Sequence, residues 1–214
     1  MSTIWIGTIL SALLLTVSIL VLGGYTIRSR MERPIAWGRL VLLDLPFVLG
    51  ITVLLLWAGM DAAYILRVSI LSSFLPLVAV IDHREMIIPN RILLWMLTYW
   101  GLAMALQIWQ MGYPDPNVLL DFILGGLIGA SPLLVRLVSK GGIGMGDIKL
   151  FAIVGLYVGK QDILRAMFLS LVIALFVLLG RKLRKKLEKK QEVSFGPFVA
   201  AGTMLMVVMN VPIF

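Results

Sequence analysis

Eight apolar stretches dominate this chain, at roughly 3–27, 40–60, 62–81, 91–111, 118–138, 147–159, 162–180 and 194–213. A helix needs about 20 apolar residues to cross a bilayer, and most of these runs reach that length. The run at 147–159 is short and crosses only with local thinning or a partly buried end. Backbone polar groups in lipid must be satisfied within the chain, and a bundle of helices does this. The composition agrees: mean hydropathy is +1.01, and charged residues make up 14% against about 25% in a soluble domain. The expected fold is an all-α polytopic membrane protein, a bundle of about eight transmembrane helices forming one domain over 1–214. No basic residue precedes the first run in Met1-Ser2-Thr3-Ile4-Trp5. Residues 3–27 therefore read as a retained helix rather than a secretory signal.

The basic residues set the orientation. With the first connector inside, 16 of the 19 lysines and arginines fall on one side and 3 (Arg67, Lys160 and Arg165) on the other. Cytoplasmic loops carry such an excess, so the net charge of +8 is a topology signal and not a nucleic-acid footprint. Asp82, Asp147 and the run from Arg181 to Glu192 then share the cytoplasmic face. That run reads as an anchor beside anionic lipid, with a docking surface for an acidic partner as the sharper alternative. There is no cysteine and a single histidine, His83. This excludes disulfides, cysteine-ligated zinc and thiol nucleophiles, and leaves no metal site or cofactor in the expectation.

Few of the 11 acidic residues suggest chemistry. Glu188 and Glu192 lie in the charge run, and Glu32 among arginines. Asp61, Asp115 and Asp162 fall in outer loops, and Asp162 is spaced from Arg165 for a helical ion pair. Asp121 lies near the outer end of its helix. Asp44, about a turn beyond Arg39, reads as a local pair or interfacial contact. Asp82 and Asp147 differ. Both stand at apolar run ends on the same face, where a carboxylate is costly. Asp82 is followed by Ile88-Pro89-Asn90, where Pro89 ends one helix and Asn90 begins the next. Asp147 follows Gly141, Gly142, Gly144 and Gly146. That loop lets backbone approach a peptide closely and adopt positive φ. Lys149, two residues on, sends its charge to the interface.

Two neighbouring carboxyls cannot both ionise easily, so one keeps a proton near neutral pH. The ionised member takes a proton from water while the other donates to a scissile carbonyl oxygen. Such hydrolysis needs neither metal nor covalent intermediate. The same residues also read as caps, with Asp147 at a helix N-cap and Asp82 an interface anchor, and spacing alone leaves both readings open.

Asp82 with Ile88-Pro89-Asn90, Gly144-Met145-Gly146-Asp147-Ile148-Lys149-Leu150 and Phe195-Gly196-Pro197-Phe198, in that order, resemble the type IV prepilin peptidases. These are membrane aspartyl proteases with a Gly-x-Gly-Asp motif, and the resemblance covers roughly residues 40–214. It implies that Asp82 and Asp147 are the catalytic pair. The expected supporting positions are Pro89, Asn90, Gly144, Gly146, Lys149, Gly196 and Pro197. The Gly196-Pro197 segment reads equally as a helix start and as a wall of the substrate groove. The implied activity is removal of leader peptides from prepilins or pseudopilins at the cytoplasmic face of the cell membrane. Several bacterial members of the family that this chain resembles also N-methylate the new terminus, through an insertion after the first helix that often bears paired cysteines. Here the connector from Arg28 to Arg39 is short and cysteine-free, so no methyltransferase-type zinc domain is expected. Alternative readings are a non-catalytic component of pilus or secretion machinery and a proton-coupled transporter using the two aspartates.

Overall fold

The computed structural model describes residues 37–113, 115–139, 143–183 and 193–212. The expected helix at 3–27, most of the first connector, Gly141, Gly142 and the charge run beyond Leu183 lie outside them. The described residues are helical with no strand: α1 Trp37–Trp57, α2 Ala62–Glu85, α3 Asn90–Met111, α4 Pro116–Gly129, α5 Pro132–Val138, α6 Met145–Val158, α7 Lys160–Leu183 and α8 Gly196–Met209. The all-α expectation holds, but the count does not. These helices answer to seven of the eight apolar runs, because α4 and α5 together are the run at 118–138. Among the described residues, four stretches are long and apolar enough to cross a membrane: Ala62–Glu85, Asn90–Trp109, Pro116–Val138 and Lys160–Leu183.

Local chemistry sets the boundaries. Asp61 caps α2 by accepting the Ala63 and Tyr64 N–H groups at 3.0 and 3.3 Å, which satisfies two donors that the helix leaves free. α2 ends at Glu85, ahead of Pro89 as expected, and its cap Met86 adopts a left-handed φ of 53° and donates its N–H to the Asp82 carbonyl. Asp82 is therefore in the last turn of the helix. Gly159, with φ 86°, separates α6 from α7. Lys160, Gln161 and Asp162, expected in a loop, belong to the first turn of α7. The expected Asp162–Arg165 ion pair forms there at 3.4 Å. The run at 118–138 breaks because Pro132 has no N–H to offer the preceding turn.

α2 is the central helix, buried along most of its length and packed on α1, α3, α6 and α8. Its Leu71, Phe74, Leu75, Leu77, Val78 and Ile81 form the core with Met96, Leu150, Val154, Tyr157, Val199 and Val207. The Tyr157 hydroxyl donates to the Met96 carbonyl at 2.6 Å, tying α6 to α3. α4 and α6 touch through glycines. A Cβ on Gly125 would overlap the Gly155 carbonyl oxygen, one on Gly155 the Gly125 carbonyl, and one on Gly129 the Phe151 carbonyl. Lipid offers helices no hydrophobic incentive to associate, so backbone contact of this kind holds them. Leu164, Phe168, Leu171 and Leu175 of α7 form an exposed apolar stripe at helical spacing, as a lipid-facing side requires.

Two side chains depart from their sequence readings. Asp44 is 2% exposed, and neither carboxyl oxygen has a hydrogen-bond partner among the described residues. The expected local pair or interfacial contact is not what the fold presents. Arg67, grouped with the outer-side cations, is buried in α2 instead. It donates to the Gln107 side chain and its guanidinium lies 4.5 Å from the Phe122 ring centroid.

Candidate active site

Asp82 and Asp147 lie at one end of the bundle, on either side of the 193–196 segment that leads into α8. Asp82 is 5% exposed, and its Oδ2 accepts the Gly196 N–H at 2.7 Å. A Cβ on residue 196 would stand 2.9 Å from that oxygen and 3.0 Å from the Asp82 Cβ. A methyl group therefore cannot enter without moving the carboxyl, and only glycine permits the approach. The N-terminus of α8 begins at Gly196, with Pro197 in the first turn where a missing N–H costs nothing. The helix-start reading of this segment holds, and its Phe195 lines the cavity beside Asp147.

Asp147 is the third residue of α6 and half-buried. Gly144, and not Asp147, occupies the N-cap position, so the capping alternative fails for this residue. α6 is too short to count among the membrane-length helices, and Asp147 sits at its loop end. Burial pushes the Asp147 carboxyl up to about 6, and the Asp82 charge adds to the effect. The two carboxyls thus feel each other, although no hydrogen bond joins them directly.

The motifs clasp one another. Gly144 lies against the Asp147 carboxyl, where an added Cβ would stand 2.7 Å from Oδ2. Gly146 faces Ile88, with a would-be Cβ 3.1 Å from the Ile88 Cβ. The Lys149 ammonium donates to Asn90 Oδ1 at 3.0 Å, linking α6 to the start of α3. The expected positive φ is not used at either glycine: Gly144 has φ −64° and Gly146 is helical. Their missing side chains matter for room instead.

A cavity of about 500 Å³ opens beside Asp147. Phe151, Phe195, Met167 and Leu171 make it apolar, and Ser131 and Pro132 close it where α4 gives way to α5. The Phe151 and Phe195 rings stand 6.0 Å apart. Pro197, expected in the groove, lines a different cavity. Lys149 touches Asn90 and neither aspartate. Phe151 and the break at Ser131 were not singled out by sequence, whereas Phe195 belonged to a quoted motif. Only Pro132, inside an apolar run, signalled that the helix would break there. Among the described residues, no cluster of three or more histidine, cysteine or acidic side chains could hold a metal ion.

The sequence profile of the type IV leader peptidase family matches residues 69–179. A prepilin leader peptidase/N-methyltransferase of Bacillus subtilis (strain 168) is 35% identical over 138 residues, covering 62% of this chain and 51% of that protein. A protein of the same description from Pectobacterium carotovorum subsp. carotovorum is 28% identical over 151 residues, covering 66% and 50%. The chain spans about half the length of these curated relatives. No solved structure matches it significantly.

Proposed function

Because this chain belongs to the type IV leader peptidase family, we propose that it is an aspartyl endopeptidase that removes leader peptides from type IV prepilins or pseudopilins. Asp82 and Asp147 are the catalytic pair. The observation that carries this reading is their shared setting. The Gly196 N–H holds the Asp82 carboxyl, while burial beside an apolar cavity and the Asp82 charge raise the Asp147 carboxyl above its usual range, to about 6.

A pair that resists double ionisation carries one proton between its members. The ionised carboxylate takes a proton from water as the water oxygen attacks the scissile carbonyl carbon. The protonated carboxyl gives its proton to the carbonyl oxygen, forming a neutral tetrahedral diol. The carboxyl that took the water proton gives it to the amine nitrogen, the other carboxylate takes a proton from a diol hydroxyl, and the carbonyl re-forms as the C–N bond breaks. The apolar cavity accepts the hydrophobic segment next to the cut. Gly144 and Gly146 keep the backbone low so that an extended peptide can reach the carboxyls. The bias of basic residues supports a cytoplasmic setting for this end. The proposal concerns the peptidase activity alone.

The test is cleavage of a prepilin by purified chain, alongside Asp82→Asn and Asp147→Asn. Each variant should insert normally and lose about 10²–10⁴-fold in rate, the range for a general acid or base. Turnover retained in either variant would reject its assigned role.

A further inference from the structure

A second cavity, also about 500 Å³, shares Val193 with the first and none of its other lining residues. Arg84, in the last turn of α2, and Arg181, in the last turn of α7, both line it. Neither guanidinium has an ion-pair or hydrogen-bond partner among the described residues, and no carboxylate is among the described lining residues. Ala79, Val80, Val193 and Phe198 supply an apolar floor. Two cations from different helices repel each other across a shared cavity, and an anion between them reverses the sign of that interaction. A cationic rim over an apolar floor, at the end of two membrane-length helices, matches a ligand with an anionic head and a hydrocarbon tail. Neither Asp82 nor Asp147 lines this space, so a peptide seated here would not reach them.

We propose that this cavity binds the phosphate of an anionic phospholipid between Arg84 and Arg181, with the start of an acyl chain on Val80 and Phe198. The occupied site joins the ends of α2 and α7 to the 193–197 segment, the same segment whose Gly196 holds Asp82. His83, also in the lining, reaches that segment through a 3.5 Å contact between its Nδ1 and the Ser194 hydroxyl.

The experiment is native mass spectrometry of the full chain in detergent with equal amounts of phosphatidylglycerol and phosphatidylcholine. The wild type should retain phosphatidylglycerol preferentially. Each arginine near an anionic headgroup is worth about fivefold in affinity, so Arg84→Gln with Arg181→Gln should weaken retention about 30-fold. Replacing both by lysine should preserve it, separating charge from folding. Lys185→Gln with Lys186→Gln removes the same charge from the neighbouring run and should leave retention largely intact. Wild-type retention in the double glutamine variant would overturn the proposal. So would equal loss in the Lys185/Lys186 variant, or complete displacement by millimolar inorganic phosphate, which would mark a free-anion site. The readout is binding, so it stands or falls separately from peptidase activity.

Discussion

Adding one methyl group at Gly196 should damage the site more than its size suggests. The Cβ of Gly196→Ala would stand 3.0 Å from the Asp82 Cβ and 2.9 Å from Oδ2. Carbon atoms are comfortable at about 3.5–4.0 Å, so the α8 N-terminus or the carboxyl must move by about 0.5 Å or more. That shift stretches the 2.7 Å bond from the Gly196 N–H. A hydrogen bond to a charged acceptor contributes about 1.5–3 kcal/mol, and a misplacement of about 1 Å in an active site costs about 10²-fold. Prepilin cleavage by Gly196→Ala should therefore fall about 10–100-fold in kcat/KM, or about 1.4–2.7 kcal/mol of transition-state stabilisation. The same substitution at Gly50, where a Cβ would meet nothing within 4 Å, should leave cleavage unchanged and add about 0.5–1 kcal/mol of helix stability. The assay compares kcat/KM for both variants after thermal unfolding has shown each to be folded. Near-wild-type cleavage by Gly196→Ala would refute the claim that this contact positions Asp82.

Asp147→Asn should lose activity while gaining stability above about pH 6. The Asp147 carboxyl is raised from 3.8 to about 6 in the fold, so between those values the folded chain binds more protons than the unfolded one. Wild-type stability therefore falls as pH rises through that window, by up to about 3 kcal/mol. Melting temperatures of the variant and wild type should agree near pH 4 and diverge at pH 8 in favour of the variant. An advantage confined to acid pH would contradict the sign. Gly125→Ala should destabilise the bundle by about 1–3 kcal/mol, since the added Cβ overlaps the Gly155 carbonyl oxygen. Thermal unfolding reads it, and an unchanged midpoint would show that α4 and α6 can separate without cost.

The apolar runs announced most of the helices because the period of burial in lipid is long and the composition leaves no competing structure. They did not show breaks within a span. The run at 118–138 remains one membrane-length stretch, but Pro132 divides it into two helices, and the residues at the break line the cavity beside Asp147. Asp82 and Asp147 stood out because acidic groups at the ends of apolar runs are rare. Gly196 was legible as a helix entry or a groove wall but not as a donor to Asp82, since that contact joins residues 114 apart in the chain. Asp44 shows the opposite error. Its neighbours in sequence suggested a partner, and the fold buries it without one among the described residues.

By itself, the order of residues determined a helical membrane chain, its basic bias, and a short set of motifs carrying two carboxyls. Those are local properties, set by hydropathy, charge and backbone stereochemistry. Tertiary structure alone decided that Gly196 would donate to Asp82, that Lys149 would hold Asn90, and that Arg84 and Arg181 would share a cavity. Each of these joins elements far apart in the chain. Which side chains meet depends on how closely helices approach and at what rotation, and no short window of sequence encodes that.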